Sequence, residues 1–172
     1  MTRTFAGFLT AAVLFVSGSD LGACGDKSLS AGGIRMQRAL AARYPASIVM
    51  YVPPASRLSG ATLELNLRET LLRVGHKYRE VATLAELRAS VDSGQFNMIL
   101  ADFSDLGQLQ QQFGEAPSRV VIVPVAHKLT KTETSEAAKQ SRFLIKAPSR
   151  AAQYLTTIAE AVRSRNSLPR QG

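Results

Sequence analysis

Few side chains in this sequence are equipped to do chemistry. Cys24 is the only thiol, which leaves no internal disulfide and no zinc site built on several thiolates. His76 and His127 are the only histidines, and neither sits in a metal-binding spacing such as H-E-x-x-H. His76 follows a helix and His127 follows a strand, so both are expected in solvated loops. Two charged residues close apolar runs: Asp102 ends MILAD (Met98–Asp102), and Lys146 follows Phe143–Ile145 in FLIKAP (Phe143–Pro148). Asp102, Ser104 and His127 supply the residue types of nucleophilic hydrolysis, but no G-x-S-x-G turn presents the serine. Glycines at 32, 33, 60, 75, 94, 107 and 114 form no phosphate loop or dinucleotide fingerprint after the first strand. No catalytic residue, metal site or cofactor is expected.

The surroundings of Cys24 are more informative. Arg3 precedes Phe5–Val16 (FAGFLTAAVLFV), an uncharged run of a dozen residues. A transmembrane helix needs about 20 apolar residues, so the segment is expected to be a cleavable export signal. Leu21-Gly22-Ala23-Cys24-Gly25 then places an aliphatic residue three positions before the cysteine and small residues directly before it. This stretch resembles a bacterial lipoprotein signal, the lipobox. The resemblance implies cleavage between Ala23 and Cys24, diacylglycerol on the Cys24 thiol and acylation of the new amino group. Each buried methylene contributes about 0.8 kcal/mol, so several acyl chains make a stable anchor. Gly25 rather than aspartate follows the cysteine, which in that family implies the outer rather than the inner membrane, with the domain facing the periplasm.

The chain has 172 residues and a formal charge of +8. The segment 1–23 holds one Arg and one Asp, so the excess belongs to the mature protein. Such a field attracts polyanions. Aromatic residues make up only 6% of the chain and tryptophan is absent, which leaves little to stack on bases. Nucleic acid is therefore not an expected partner; anionic lipid or an acidic protein is.

The elements that must position these residues follow from hydrophobic period. After a small, polar tether (24–33), Ile34–Tyr44 predicts a short helix ending before Pro45, within a segment 34–45. SIVMYV (Ser47–Val52) predicts a buried strand stopped by Pro53-Pro54, and leucines along Leu58–Val74 predict a helix closed by Gly75. Lys77–Val81 is a more polar strand. Thr83 and Glu86 form a capping box opening a helix to Gly94. Phe96–Ala101 predicts a third strand, Leu106–Phe113 a helix, Arg119–Val125 a fourth strand with Pro124 near its end, Glu133–Gln140 a helix, Arg142–Lys146 a fifth strand and Ala151–Arg163 a final helix. The tail 164–172 is expected to be disordered. Five alternating strands and helices over 46–163 imply an α/β domain with a parallel sheet covered on both faces. A flavodoxin-like order 2-1-3-4-5 is the expected arrangement at this size.

MILAD and FLIKAP resemble the receiver domains of bacterial response regulators, to which the chemotaxis receiver protein belongs. In that family the third strand ends in the phosphoaccepting aspartate, matching Asp102. The fifth ends in a lysine before a proline-containing turn, matching Lys146 with Pro148 one place late. The acidic pair that holds magnesium after the first strand is replaced by Tyr51-Val52-Pro53-Pro54, and the expected hydroxyl after the fourth strand by Val125. Phosphoryl transfer depends on metal and positioned charge, so the phosphorylation cycle is expected to be lost, with Asp102 and Lys146 pairing as a remnant. The combined expectation is a lipid-anchored protein-interaction module on a degenerate receiver-like fold, its partner contacts within 133–163. The alternative is a periplasmic small-molecule binding protein with its ligand among Pro53, Asp102, His127 and Lys146, at the carboxyl edge of the sheet where open α/β folds bind.

Overall fold

The computed structural model describes residues 31–58, 66–114, 120–147 and 149–167. The expected export signal, Cys24, Arg119 and Pro148 lie outside the described residues. In chain order the elements are α1 (Ala31–Arg43), β1 (Ser47–Tyr51), α2 (Leu67–Val74), β2 (Lys77–Val81), α3 (Leu84–Asp92), β3 (Met98–Asp102), a 3-10 turn (Phe103–Asp105), α4 (Leu106–Phe113), β4 (Val121–His127), α5 (Lys131–Gln140), β5 (Ile145–Ala147) and α6 (Ala151–Asn166). All strand pairings are parallel and the order is β2-β1-β3-β4-β5, a flavodoxin-like three-layer sandwich.

Strand alternation divides the core into two layers. Ile48, Met50, Leu100, Val123, Val125 and Ile145 face α1, α2 and α6, meeting Leu71, Tyr154, Leu155 and Ile158. Val49, Tyr51, Ile99 and Ala101 face the other way, onto Leu87 of α3 and Leu109 and Phe113 of α4. The three inner strands are apolar at nearly every position because both faces are covered. β2 has only Val81 buried, as its edge position allows. Pro124 sits in a strand with neighbours on both sides, yet β5 begins only opposite Val125, so no β5 residue stands across from the proline.

Several boundaries differ from the sequence expectation. α1 spans Ala31–Arg43, reaching into the expected tether. Its buried residues are Gln37 and Ala41, with Leu40 half-buried. The expected continuous helix Leu58–Val74 is interrupted: Asn66 has φ 43°, a left-handed conformation outside any helix, and α2 starts at Leu67. Gly75 closes α2 with φ 101°, its N–H bonded to the carbonyls of Leu71 and Leu72. α6 continues through Asn166, so Ser164–Asn166 are helical rather than part of a tail. β4 runs to His127 and β5 begins at Ile145.

Candidate functional site

Those last two shifts change the carboxyl edge of the sheet. His127 is the final residue of β4 and only 4% exposed, not a solvated loop residue. His76 is equally buried, at the opposite edge, where its Nδ1 accepts from the Ala46 N–H at 3.2 Å. Burial lowers the His76 pKa, which keeps the ring neutral and the acceptor intact.

Asp102 ends β3 at 2% exposure and caps the 3-10 turn that follows. Its Oδ1 accepts from the Ser104 N–H at 3.0 Å and the Ser104 hydroxyl at 2.9 Å, while Oδ2 is buried without a partner. The serine proton is thus committed to Asp102 and not to a histidine, which is not the order of contacts in a Ser-His-Asp relay. Val125 stands directly opposite Asp102 in register and is fully buried, giving the carboxylate an apolar neighbour where a receiver-like site has a hydroxyl.

A second carboxylate, absent from the sequence-stated candidates, is Asp105. Burial raises its pKa and the nearby Asp102 charge raises it further; its own Oδ2 is also buried and unpartnered. The Tyr51 hydroxyl is raised in turn, by burial first and the Asp105 charge second. The D-x-x-D spacing of Asp102 and Asp105 was visible in the sequence. What the fold adds is the tight 3-10 turn that brings the second carboxylate back beside the first.

The edge therefore holds two carboxylates, one more than Asp102 alone, but it does not fit magnesium, the cation a receiver-like site implies. Magnesium keeps several waters when bound, and Oδ2 of each carboxylate lies beneath the surface. The end of β1 offers no carboxylate. Among the described residues no group of three His, Cys, Asp or Glu side chains is arranged to hold a metal ion.

Lys146 lies elsewhere. Ile145 and Ala147 point into the α1/α2/α6 layer, so Lys146 between them points to the other face. Asp102 and His127 alternate with Leu100 and Val125 onto the α1/α2/α6 side, their Cα atoms about 8 Å apart from strand spacing and rise. His127 Nδ1 is buried without a partner. Pro53 is half-buried just beyond β1. The expected four-residue edge is thus split between the two faces, and no Asp102–Lys146 ion pair forms within 4.0 Å: the described ion pairs are Arg73–Glu69 and Lys139–Glu136, both on helix surfaces.

Lys146 instead borders an open groove of about 450 Å³ between β5 and α5, with Leu129, Lys131, Thr134, Ser135 and Ala138. α5 begins with a full capping box, Thr130 accepting from the Glu133 N–H and Glu133 accepting from the Thr130 N–H. Ala137 is its one buried residue. The helix is defined at its end but lightly seated on the sheet, and small side chains form its groove wall. Lys131 occupies the first turn, where a cation opposes the helix dipole. Among the described residues neither Lys131 nor Lys146 has an ion-pair partner.

No protein-family model matches the chain, and no curated protein sequence matches it. Fold and site define a flavodoxin-like α/β domain with a closed carboxylate pair at its carboxyl edge and an open, cationic groove beside β5.

Proposed function

We propose that this protein is a lipid-anchored, extracytoplasmic interaction module whose receiver-like fold works without a phosphorylation cycle. The groove between α5 and β5 is the observation that carries this reading. It is open rather than enclosed, four of its six lining residues fall in the 133–163 region that a receiver-like fold offers to partners while Leu129 and Lys131 precede it, and Lys131 and Lys146 stand in it without carboxylate partners among the described residues. A protein presenting an acidic side chain to this groove satisfies both lysines. The small-molecule alternative has less support, because Asp102 and His127 face one layer while Lys146 faces the other. Anchoring rests on Cys24 and its lipobox-like context, since among the described residues no helix is long and apolar enough to cross a membrane.

Two experiments test the proposal. Palmitate labelling of the wild-type chain should disappear in Cys24→Ser; unchanged labelling would remove the anchor. A photocrosslinking residue at Ala138 should give a discrete adduct in the native envelope, lost when Lys131 and Lys146 are both changed to glutamate. The same probe at the exposed Ala85 on α3 should give none. Identical patterns at Ala138 and Ala85 would overturn the groove as a partner surface.

A further inference from the structure

The two helical layers of the domain differ sharply in charge. α1, α2 and α6 together carry seven arginines (35, 38, 43, 68, 73, 163 and 165) against two acids, Glu69 and Glu160. α3, α4 and α5 carry three cations against four anions. The basic excess of the described helices therefore lies on one face. It is strongest in α1, which has no acidic residue and buries Gln37 and Ala41. At about 100° per residue, Arg35, Met36 and Arg43 fall on the opposite arc of this helix, and Arg38 lies on its flank beside α2. All four are exposed, Met36 to 60%. Arg38 donates through Nε to the Arg73 carbonyl at 3.2 Å, and Arg43 lies 5.6 Å from the Tyr44 ring centroid. Neither contact neutralises its charge.

Chain length adds a second constraint. Seven residues, 24–30, separate the start of α1 from the position of lipid attachment and include that position. Even fully extended, seven residues span at most about 25 Å, less than the roughly 35 Å diameter of a domain of this size. A tether shorter than the domain is wide cannot let the far face reach the bilayer, so the face able to meet it is the one beside α1, where the tether ends. We infer that the exposed face of α1, with Arg35, Arg43 and Met36 and with Arg38 at its edge, docks on an anionic phospholipid surface, leaving the α5/β5 groove of the other layer turned away from the membrane. The arginines meet phosphate oxygens and Met36 enters the headgroup boundary. This inference rests on the anchored reading for its geometry and on the charge asymmetry for its chemistry.

The test reconstitutes the chain, extracted from bacterial membranes, into phosphatidylcholine vesicles with or without phosphatidylglycerol. A fluorophore is placed at Met36→Cys or, as control, at Glu136→Cys on α5, and quenched by a headgroup-quencher lipid. The probe at 36 should be quenched only on anionic vesicles and released by high salt, while the probe at 136 stays bright. Arg35→Glu/Arg38→Glu/Arg43→Glu should shift the docked-to-undocked ratio by about a hundredfold, near a factor of five for each cation at an anionic surface. Arg35→Glu/Arg43→Glu retains the Arg38 bond to α2 and guards against an effect of misfolding. Equal quenching at 36 and 136, equal quenching on neutral vesicles, or no response to the charge reversals would overturn the proposal. If palmitate labelling shows no lipid on Cys24, the same probes on the exported Cys24→Ser chain mixed with the vesicles separate the two ideas. Quenching at 36 on anionic vesicles would then sustain docking without an anchor, and its absence would end it.

Discussion

Replacing Asp105 by asparagine should stabilise the protein. In the folded chain Asp105 makes no side-chain capping bond, its Oδ2 is buried without a partner, and it shares the carboxyl edge with the Asp102 charge. Asparagine keeps the shape, removes one of the two charges, and carries an amide that can donate to the orphaned Asp102 Oδ2. A hydrogen bond to a charged group contributes about 1.5–3 kcal/mol, and the half-exposed setting of Asp105 discounts this to about 1 kcal/mol. For a domain of this size that is a rise in Tm of about 3–5 °C. The pH dependence gives the sharper test. The folded pKa of Asp105 lies above its unfolded value, so the native state holds this proton more tightly. The corresponding stabilisation is full below about pH 4 and is lost as pH rises through the folded pKa. Urea unfolding of wild type and Asp105→Asn should therefore diverge from pH 4 to pH 7, with the variant more stable at pH 7. Magnesium should leave the wild-type midpoint unchanged. A less stable variant at pH 7, together with wild type stabilised by magnesium, would refute the closed-carboxylate description and restore a cation site at this edge.

Two further outcomes follow from local contacts. His76 has a folded pKa below its unfolded value, so its contribution is present above about pH 6.5 and lost as pH falls toward the folded pKa; His76→Leu should flatten the pH dependence of the urea midpoint between pH 7 and 5 and, by orphaning the Ala46 N–H, cost about 1–3 kcal/mol at pH 7. Thr83→Ala should lower global stability by about 1 kcal/mol, because α3 buries Leu87 and Ser90. Thr130→Ala should mainly speed hydrogen exchange in α5, which buries only Ala137, and an equal loss in the global midpoint for both variants would contradict the light seating of α5.

The groove and the carboxylate pair lie on opposite sides of a functional divide. A working phosphoacceptor must be open to metal and donor, yet here the second oxygen of Asp102 is sealed and its neighbour in β4 is valine. Lys146, which a receiver-like site would turn toward that aspartate, borders the surface groove.

The fold was legible because its signals are local and repeated. The apolar runs at Ser47–Val52 and Phe96–Ala101, the Thr83 capping box and the stop at Gly75 each declare an element from a few neighbouring residues, although the third strand runs from Met98 to Asp102, and α4 appears with the expected bounds, Leu106–Phe113. Hydrophobic period also showed that the sheet is parallel and covered on both faces. Its limits are the places where a neighbour decides. α2 begins only after Asn66 although the leucine stripe extends on both sides of it, because a left-handed residue stands outside a helix without disturbing the pattern of leucines. His127 looked like a loop residue until pairing with β5 drew it into β4 and buried it. Asp105 stood in plain view, but its charge matters only because a 3-10 turn sets it beside Asp102.

Composition and residue order determined that the chain has a lone thiol at Cys24, a net positive charge and an α/β alternation. The gathering of helical arginines on the α1/α2/α6 layer, the separation of Lys146 from Asp102 and the burial of the two carboxylate Oδ2 atoms were decided by tertiary structure. The physical reason is that strand alternation and helix packing assign each side chain to a face, and residues far apart in sequence share a site only when their faces coincide.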